Sequence, residues 1–461
     1  MISFWEVIDR AVNTGPLTKS SEFEKKLYKK ASDCVKKYEI VYHPENPVSS
    51  DDGMILRLFE AGVELYRDLG TYCINTERVI RFDEAEIRDE LRELSLAPPE
   101  ILIGEGMERR VLRRRLPGEK IPPSVVAGFI EDNPNEGRDF VQMYKSVAQE
   151  PILDGFYFGP APRSIEGRSY QLNSPYDIHA AKSATWWVRE ALRASGRPGL
   201  HLLDGGCSAI ASIAATADGN GLRKTDGFVL PTISELKVDY EILNKVAHSL
   251  SHGIIRNSYW AVIVGGYAGG PEGAAVVGIA SALNAIMVYK SRYSYVSTLL
   301  MNPPVNSARK TLWVRNSCIQ CLTRHTNMIC GGGGATAAGP GTRQQLLEIA
   351  ALAIVSSAAG GHIFHGFRKS KLVKPNQGSG MEPRWGGETA KAASTLTRDE
   401  ANEVVLFLLS QYEDALDPEK APEGFSFQEL YDSEKVIVRP GYYRLYENVK
   451  SELARRGLPY A

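Results

Sequence analysis

The chain has 461 residues, 43% hydrophobic and 24% charged, with a formal net charge of −1, so no global basic field recruits nucleic acid or an anionic membrane surface. Six cysteines in this length exclude a disulfide scaffold. The N-terminal stretch carries Trp5, Glu6, Asp9 and Arg10 and has no signal-peptide core, so a cytoplasmic location is expected.

Ile55, Phe59, Val63 and Tyr66 recur at helical spacing before Gly70, which suits a C-terminal cap, so residues 1–70 are expected to form a mainly helical extension. The basic run Arg109, Arg110, Arg113, Arg114 and Arg115 is diluted by neighbouring glutamates and reads as a solvated face or a protein contact. Residues 200–203, Leu-His-Leu-Leu, form a strand candidate, followed by small and polar residues over 204–208. A better strand covers 260–264 and leads into Gly-Gly-Tyr-Ala-Gly-Gly at 265–270 and a helix over about 272–289. A third strand covers 295–300, followed by Asn-Pro-Pro and a helix over about 308–327. A very short strand at 328–330 precedes four glycines, 331–334, and a helix over about 342–358. The apolar stretch 346–359 is too short, and too broken by Glu348, Ser356 and Ser357, to span a bilayer.

Four successive strand–loop–helix units argue for parallel strands with crossover helices. No low-complexity linker or repeat divides the chain, and no dinucleotide fingerprint opens the first unit. The expected architecture is an α/β fold, a (β/α)8 TIM barrel with an N-terminal helical extension, as one domain over 1–461. Such barrels carry their site at the C-terminal ends of the strands. That gathers residues 204–208, 265–270, 302–306 and 331–339 around one mouth, suited to a large flat ligand or a docking partner.

One segment is more specific: Gly-Arg-Pro-Gly-Leu-His-Leu-Leu-Asp-Gly-Gly at 196–206. Further motifs stand in register with it: Leu-Phe-Glu-Ala-Gly from Leu58, Gly-Thr-Tyr-Cys from Gly70, Ser-Pro-Tyr from Ser174 with Ala-Ala-Lys from Ala180, and Glu-Leu-Lys from Glu235 followed by Asp239. Ala247-His248, the six-residue glycine–tyrosine motif, Ala-Gly-Pro from Ala338 with Thr342, and Gly-Met-Glu from Gly380 complete the set. Together they resemble the monomethylamine methyltransferases, corrinoid-dependent enzymes that carry the genetically encoded residue pyrrolysine. The resemblance implies the barrel above, a homo-oligomer, and transfer of a methyl group from methylamine to the Co(I) corrinoid of a small partner protein. It implies no cofactor held tightly by the chain itself.

In that family Gly-Arg-Pro-Gly is followed, after three residues, by pyrrolysine; here that place falls on Leu203. The acidic places around the pyrrolysine fall on or near Gly206, Val229 and Tyr259, and the glutamine and tyrosine places on Gly333 and Ala335. The frame is kept while the amine-capturing group is missing, so methylamine is not the expected substrate. The expectation is a methyltransferase acting on another small methylated donor, a quaternary amine being one candidate. The alternatives are a non-catalytic paralogue that only docks the corrinoid protein, and a barrel enzyme acting on a phosphorylated compound.

Transfer to Co(I) is an in-line displacement in which a charged donor needs no adduct, and a cation is held by aromatic faces. Tyr259, Trp260 and Tyr267 stand near one predicted strand end and form a candidate cage; the plainer alternative is that they pack the layers. Asp204 is a candidate to hold a cation or orient a proton, or else a cap for the next helix. His201 reads as a hydrogen-bonded structural residue, whereas His248 is a candidate cavity or corrinoid contact. Cys318, Cys321, His325 and Cys330 share a helix face and the following loop, but no second ligand pair accompanies them, so buried thiols rather than a metal site are expected. The glycines at 331–334 are a weak phosphate-loop candidate, because no Lys, Ser or Thr follows at the required spacing.

Overall fold

Eight parallel strands close on themselves: β1 (Val125–Phe129), β2 (Gly155–Phe158), β3 (His201–Asp204), β4 (Gly227–Thr232), β5 (Ile255–Val264), β6 (Tyr293–Leu300), β7 (Ile329–Thr336) and β8 (His362–Lys369), paired in chain order with β8 returning to β1. A helix follows each strand: α1 (Arg138–Ala148), α2 (Pro175–Ala194), α3 (Ala209–Ala214), α4 (Tyr240–His252), α5 (Pro271–Met287), α6 (Arg309–His325), α7 (Arg343–Ala358) and α8 (Met381–Ala393). The computed structural model describes residues 2–129, 136–158, 162, 164–206, 208–217, 219, 221–371 and 374–460. The expected TIM barrel is the observed fold, with Leu203, Val264 and Leu300 all on its strands.

The N-terminal extension explains why α5 is apolar all round. Helix Asp52–Leu69 covers the outer face of α5, so every residue of α5 except the half-buried Glu272 is buried. Contact there is close: a Cβ at Gly62 would lie 2.4 Å from Ile279 Cγ2. The same helix ends as its sequence suggests, at Gly70, whose φ is 70° and whose N–H donates to the Tyr66 carbonyl. Helix α7 is likewise buried, between α8 and the helix Arg398–Tyr412 that follows it.

An antiparallel hairpin, Glu100–Ile103 with Arg110–Arg113, plugs the N-terminal end of the barrel. Its Ile103 and Leu112 meet Val126, Leu203, Val229, Tyr293, Ile329 and Phe364 in one apolar cluster inside the strands. Arg197, from the Gly-Arg-Pro-Gly stretch, fastens this plug: its guanidinium donates to the Glu108 carboxylate at 2.7 Å and to the carbonyls of Glu150 and Leu153. The basic run is not one solvated face. Arg115 at its end is buried and donates to the carbonyls of Ile121 and Gly361, because the chain turns there into the barrel.

The expected glycine loop at 331–334 is the one misplaced element. Residues 331–334 continue β7 as strand, paired with β8 on one side and, at Gly331, with β6 on the other. The strands run too close for side chains there: a Cβ at Gly331 would sit 2.5 Å from the His362 carbonyl oxygen, and one at Gly333 would sit 2.2 Å from that of Gly366. Glycine is required for strand approach, not for a phosphate cradle.

Candidate functional site

Strand alternation decides which side chains can meet a ligand. On β5, Asn257, Tyr259 and Ala261 turn inward, whereas Trp260 and Val262 turn outward onto α5. On β6, Tyr295, Ser297 and Leu299 turn inward. At the C-terminal ends of the strands these residues enclose a cavity of about 490 Å³, within the range of small-molecule sites. Tyr157, Tyr259, Tyr295 and His365 form its aromatic walls, and Ser297, Asn306 and Arg368 are among its polar groups. Gly206, Val229 and Ala335, singled out in the sequence, also line it.

His365 is the residue that strand alternation hides. Phe364 points into the barrel, so His365 would ordinarily point out. Its φ of 63° breaks the alternation, and Gly366 follows at 108°, so both rings enter the barrel. The imidazole is sandwiched between Tyr157 at 4.5 Å and Tyr295 at 4.1 Å between ring centroids, tilted only 6° and 15°. Its Nε2 lies 2.7 Å from Asn257 Oδ1. Burial pushes its pKa down to about 3, so the ring is neutral at physiological pH.

Asn306 staples the rim. Its Oδ1 accepts from Ala335 N at 2.6 Å, and its Nδ2 donates to the Thr298 carbonyl at 2.6 Å. Behind it, buried Glu348 accepts from Ser307 Oγ, from the N–H groups of Ala337 and Ala338, and from Gln344 Nε2. One carboxyl group thus ties the β6–α6 loop to the end of β7, and burial raises its pKa to about 7.

The electrostatics are not those of a plain cation cage. Arg315 of α6 is fully buried behind the glycine strand, with no hydrogen-bond partner among the described residues for any of its guanidinium nitrogens. It fits there because Gly332 has no side chain: a Cβ would lie 3.1 Å from Arg315 Cδ. Burial raises the pKa values of Tyr259 and Tyr295, and the charges of Arg315 and Arg368 pull both back.

Several expected site residues stand elsewhere. Trp260 packs between the barrel and α5, its Nε1 donating to Ser294 Oγ at 2.9 Å, because it lies on the outward face of β5. Tyr267 is half exposed in the β5–α5 loop, with Lys237 Nζ 5.7 Å from its ring centroid, and does not line the cavity. Of the three proposed cage aromatics only Tyr259 lines it. His248 sits on α4, its Nε2 2.8 Å from Thr216 Oγ1 and its ring stacked on His252, outside the barrel wall. Gly333 is occupied with strand pairing and does not line the cavity. Asp204 is buried at the end of β3, accepting from Gly206 N and Ser212 Oγ, while the cap of α3 is Ser208. Cys207, inside the same stretch, lies outside the described residues. His201 is fully buried, with Nδ1 2.6 Å from the Thr225 carbonyl.

Leu203 is fully buried in the apolar cluster below the cavity. Cys318 and Cys321 donate to the carbonyls of Ala275 and Ile55, and burial raises both thiols. Among the described residues no group of three or more His, Cys, Asp or Glu side chains is placed to hold a metal, and no helix is long and apolar enough to cross a membrane.

A family profile described as monomethylamine methyltransferase MtmB matches residues 2–458. The monomethylamine methyltransferase MtmB2 of Methanosarcina acetivorans is 30% identical over 437 residues, covering 94% of this chain and 93% of that one. The MtmB1 protein of Methanosarcina barkeri is also 30% identical over the same coverage. The crystal structure of the Methanosarcina barkeri monomethylamine methyltransferase superposes with a TM-score of 0.93 at 28% identity, covering 99% of this chain and 98% of that one.

Proposed function

The chain belongs to the monomethylamine methyltransferase family, and we propose that it passes a methyl group from a small methylated amine other than monomethylamine to the Co(I) corrinoid of a partner protein. The observation that carries this reading is the cavity of about 490 Å³ at the strand ends, walled by Tyr157, Tyr259, Tyr295 and His365 and open at the mouth. A cavity filled by Leu203, Val229 and Tyr259 would have favoured a docking paralogue without catalysis. Instead Leu203 lies beneath the cavity, while Val229 and Tyr259 only line it. The phosphate reading loses its support, because residues 331–334 are paired strand.

The chemistry asked of these residues is placement. The methyl carbon must face the mouth, in line with the incoming cobalt, and the nitrogen must already carry positive charge so that it leaves as a neutral amine. Aromatic faces hold such a charge without neutralising it. Leu203 offers no electrophilic carbon to capture a free amine, and Val229 and Tyr259 offer no carboxylate to take its proton. The alignment of Leu203 with the pyrrolysine place supports the exclusion of monomethylamine.

The test is methylation of a cognate corrinoid protein, followed by the cobalt absorption change, with a panel of N-methylated donors. Methyl transfer from at least one larger donor and none from monomethylamine is expected. Robust transfer from monomethylamine would overturn the donor assignment, and no transfer from any donor, with the corrinoid protein still bound, would establish the docking role.

A further inference from the structure

The donor's nitrogen can be described more closely, on the premise that the cavity takes a methylated amine. His365 has both ring faces covered, by Tyr157 and Tyr295, and its Nε2 engaged by Asn257. What it presents to the cavity it lines is therefore ring edge. With Asn257 Oδ1 accepting from Nε2–H, the remaining polar atom, Nδ1, is a lone-pair acceptor. We infer that His365 Nδ1 accepts a hydrogen bond from an N–H on the methyl-bearing nitrogen, so that the donor is a protonated secondary or tertiary N-methylamine rather than a quaternary ammonium.

Three features favour this assignment. The strained backbone at His365, with φ 63° at a non-glycine residue, is what turns the ring inward, and such strain persists where the surrounding structure enforces it. Arg315, buried behind the cavity with its guanidinium nitrogens unpartnered among the described residues, acts on both cavity tyrosines, so a bare cation meets like charge. A quaternary ammonium has only ring faces to offset that field, whereas an N–H⁺ adds a directional charge-assisted hydrogen bond. Finally, the buried imidazole is far too weak a base to deprotonate an alkylammonium. It accepts the hydrogen bond and leaves the proton on nitrogen, which keeps nitrogen a competent leaving group. In the transfer the C–N bond breaks with its electron pair staying on nitrogen. The methyl passes to Co(I), which supplies the electron pair of the new bond, and the N–H departs on the neutral amine. His365 gains and loses no proton.

The experiment compares trimethylammonium chloride with tetramethylammonium chloride, which differ by N–H against N–CH₃, on the full chain without corrinoid protein. Calorimetry is expected to show trimethylammonium bound about tenfold more tightly, the factor of one charge-assisted hydrogen bond of about 1.4 kcal/mol. In ¹⁵N-histidine-labelled protein, the His365 Nδ1 resonance is expected to shift with trimethylammonium and not with tetramethylammonium. His365→Asn, which tolerates the positive φ and keeps an acceptor near Nδ1, should retain most of the preference, and His365→Phe should abolish it. Equal or tighter binding of tetramethylammonium, a silent Nδ1 resonance, or binding of neither cation would each overturn the inference. Methyl transfer from a quaternary donor as readily as from a tertiary one would refute it while leaving the methyltransferase reading intact.

Discussion

Replacing Gly333 by alanine separates a strand that needs glycine for packing from a loop that needs it for a ligand. A Cβ at position 333 would lie 2.2 Å from the Gly366 carbonyl oxygen and 2.7 Å from that of Phe364, both backbone atoms that cannot rotate away. Relief requires β7 and β8 to separate. Overpacking of this kind costs about 1–3 kcal/mol, and each strand hydrogen bond lost with it adds about 1 kcal/mol. The expected loss is roughly 3–5 kcal/mol, a large part of the typical stability of a folded protein. Gly332→Ala is the control, because its nearest neighbours, Ser356 Oγ at 2.9 Å and Arg315 Cδ and Nε at 3.1 Å, are side-chain atoms. It should cost about 1–2 kcal/mol, at the lower end of overpacking penalties. Urea unfolding followed by circular dichroism measures both. If Gly333→Ala unfolds within about 1 kcal/mol of wild type while losing affinity for a phosphorylated compound, the strand argument fails and the cradle reading returns.

Tyr259→Leu should weaken donor binding by about 0.5–2 kcal/mol, roughly two- to thirtyfold, with Tyr259→Phe retaining most of the affinity; equal damage from both would assign the role to the hydroxyl. Glu348, raised from 4.5 to about 7, holds a proton in the fold that the unfolded chain has released, so its contribution to stability is full below pH 4.5 and is lost as pH rises through 7. Glu348→Gln should therefore remove a decline of about 1.4 kcal/mol per pH unit across that window, read as the wild-type minus variant difference in urea unfolding at pH 5 and 7.5; a constant difference would contradict the assignment. The family resemblance implies a homo-oligomer, which light scattering at micromolar concentration should reveal, a monomer being the contrary result.

The barrel was legible because its signals are local. Apolar runs end at glycine or proline, amphipathic or apolar helices follow, and the predicted helices over 272–289, 308–327 and 342–358 differ from α5, α6 and α7 by no more than a few residues at either end. The glycines at 331–334 misled because glycine carries the same letter in a loop and in a strand pressed against carbonyl groups; only the position of β8 distinguishes the two cases. Tyr259 was found from the motif register, whereas Trp260 beside it fell on the opposite face of the same strand, a parity that sequence position alone did not fix. Tyr157, Tyr295 and His365 were missed. The tyrosines sit in ordinary strand patterns, and His365 enters the barrel only through a backbone conformation that breaks alternation. The one available hint was His365 standing directly before a glycine in an apolar strand.

On the proposed function, a larger donor would account for methyl transfer without a reactive side chain at Leu203. Monomethylamine has two heavy atoms, and even the best small ligands gain no more than about 1.5 kcal/mol per heavy atom, so noncovalent binding alone gives it at most about 3 kcal/mol, a Kd of several millimolar. Capture as a covalent adduct is one way to hold so small a molecule in line with cobalt. A donor with five heavy atoms has a ceiling near 7 kcal/mol, in the low micromolar range, and can be held by contacts alone. The cavity here, about 490 Å³ with aromatic walls, has room for such a donor above the apolar plug that contains Leu203. Because Leu203 lies in that plug and does not line the cavity, an electrophile placed there should do little for monomethylamine, whereas lengthening the amine should raise kcat/KM in the unaltered enzyme until the walls are filled. A flat response across methylated amines of increasing size would mean that contacts with these walls do not hold the donor.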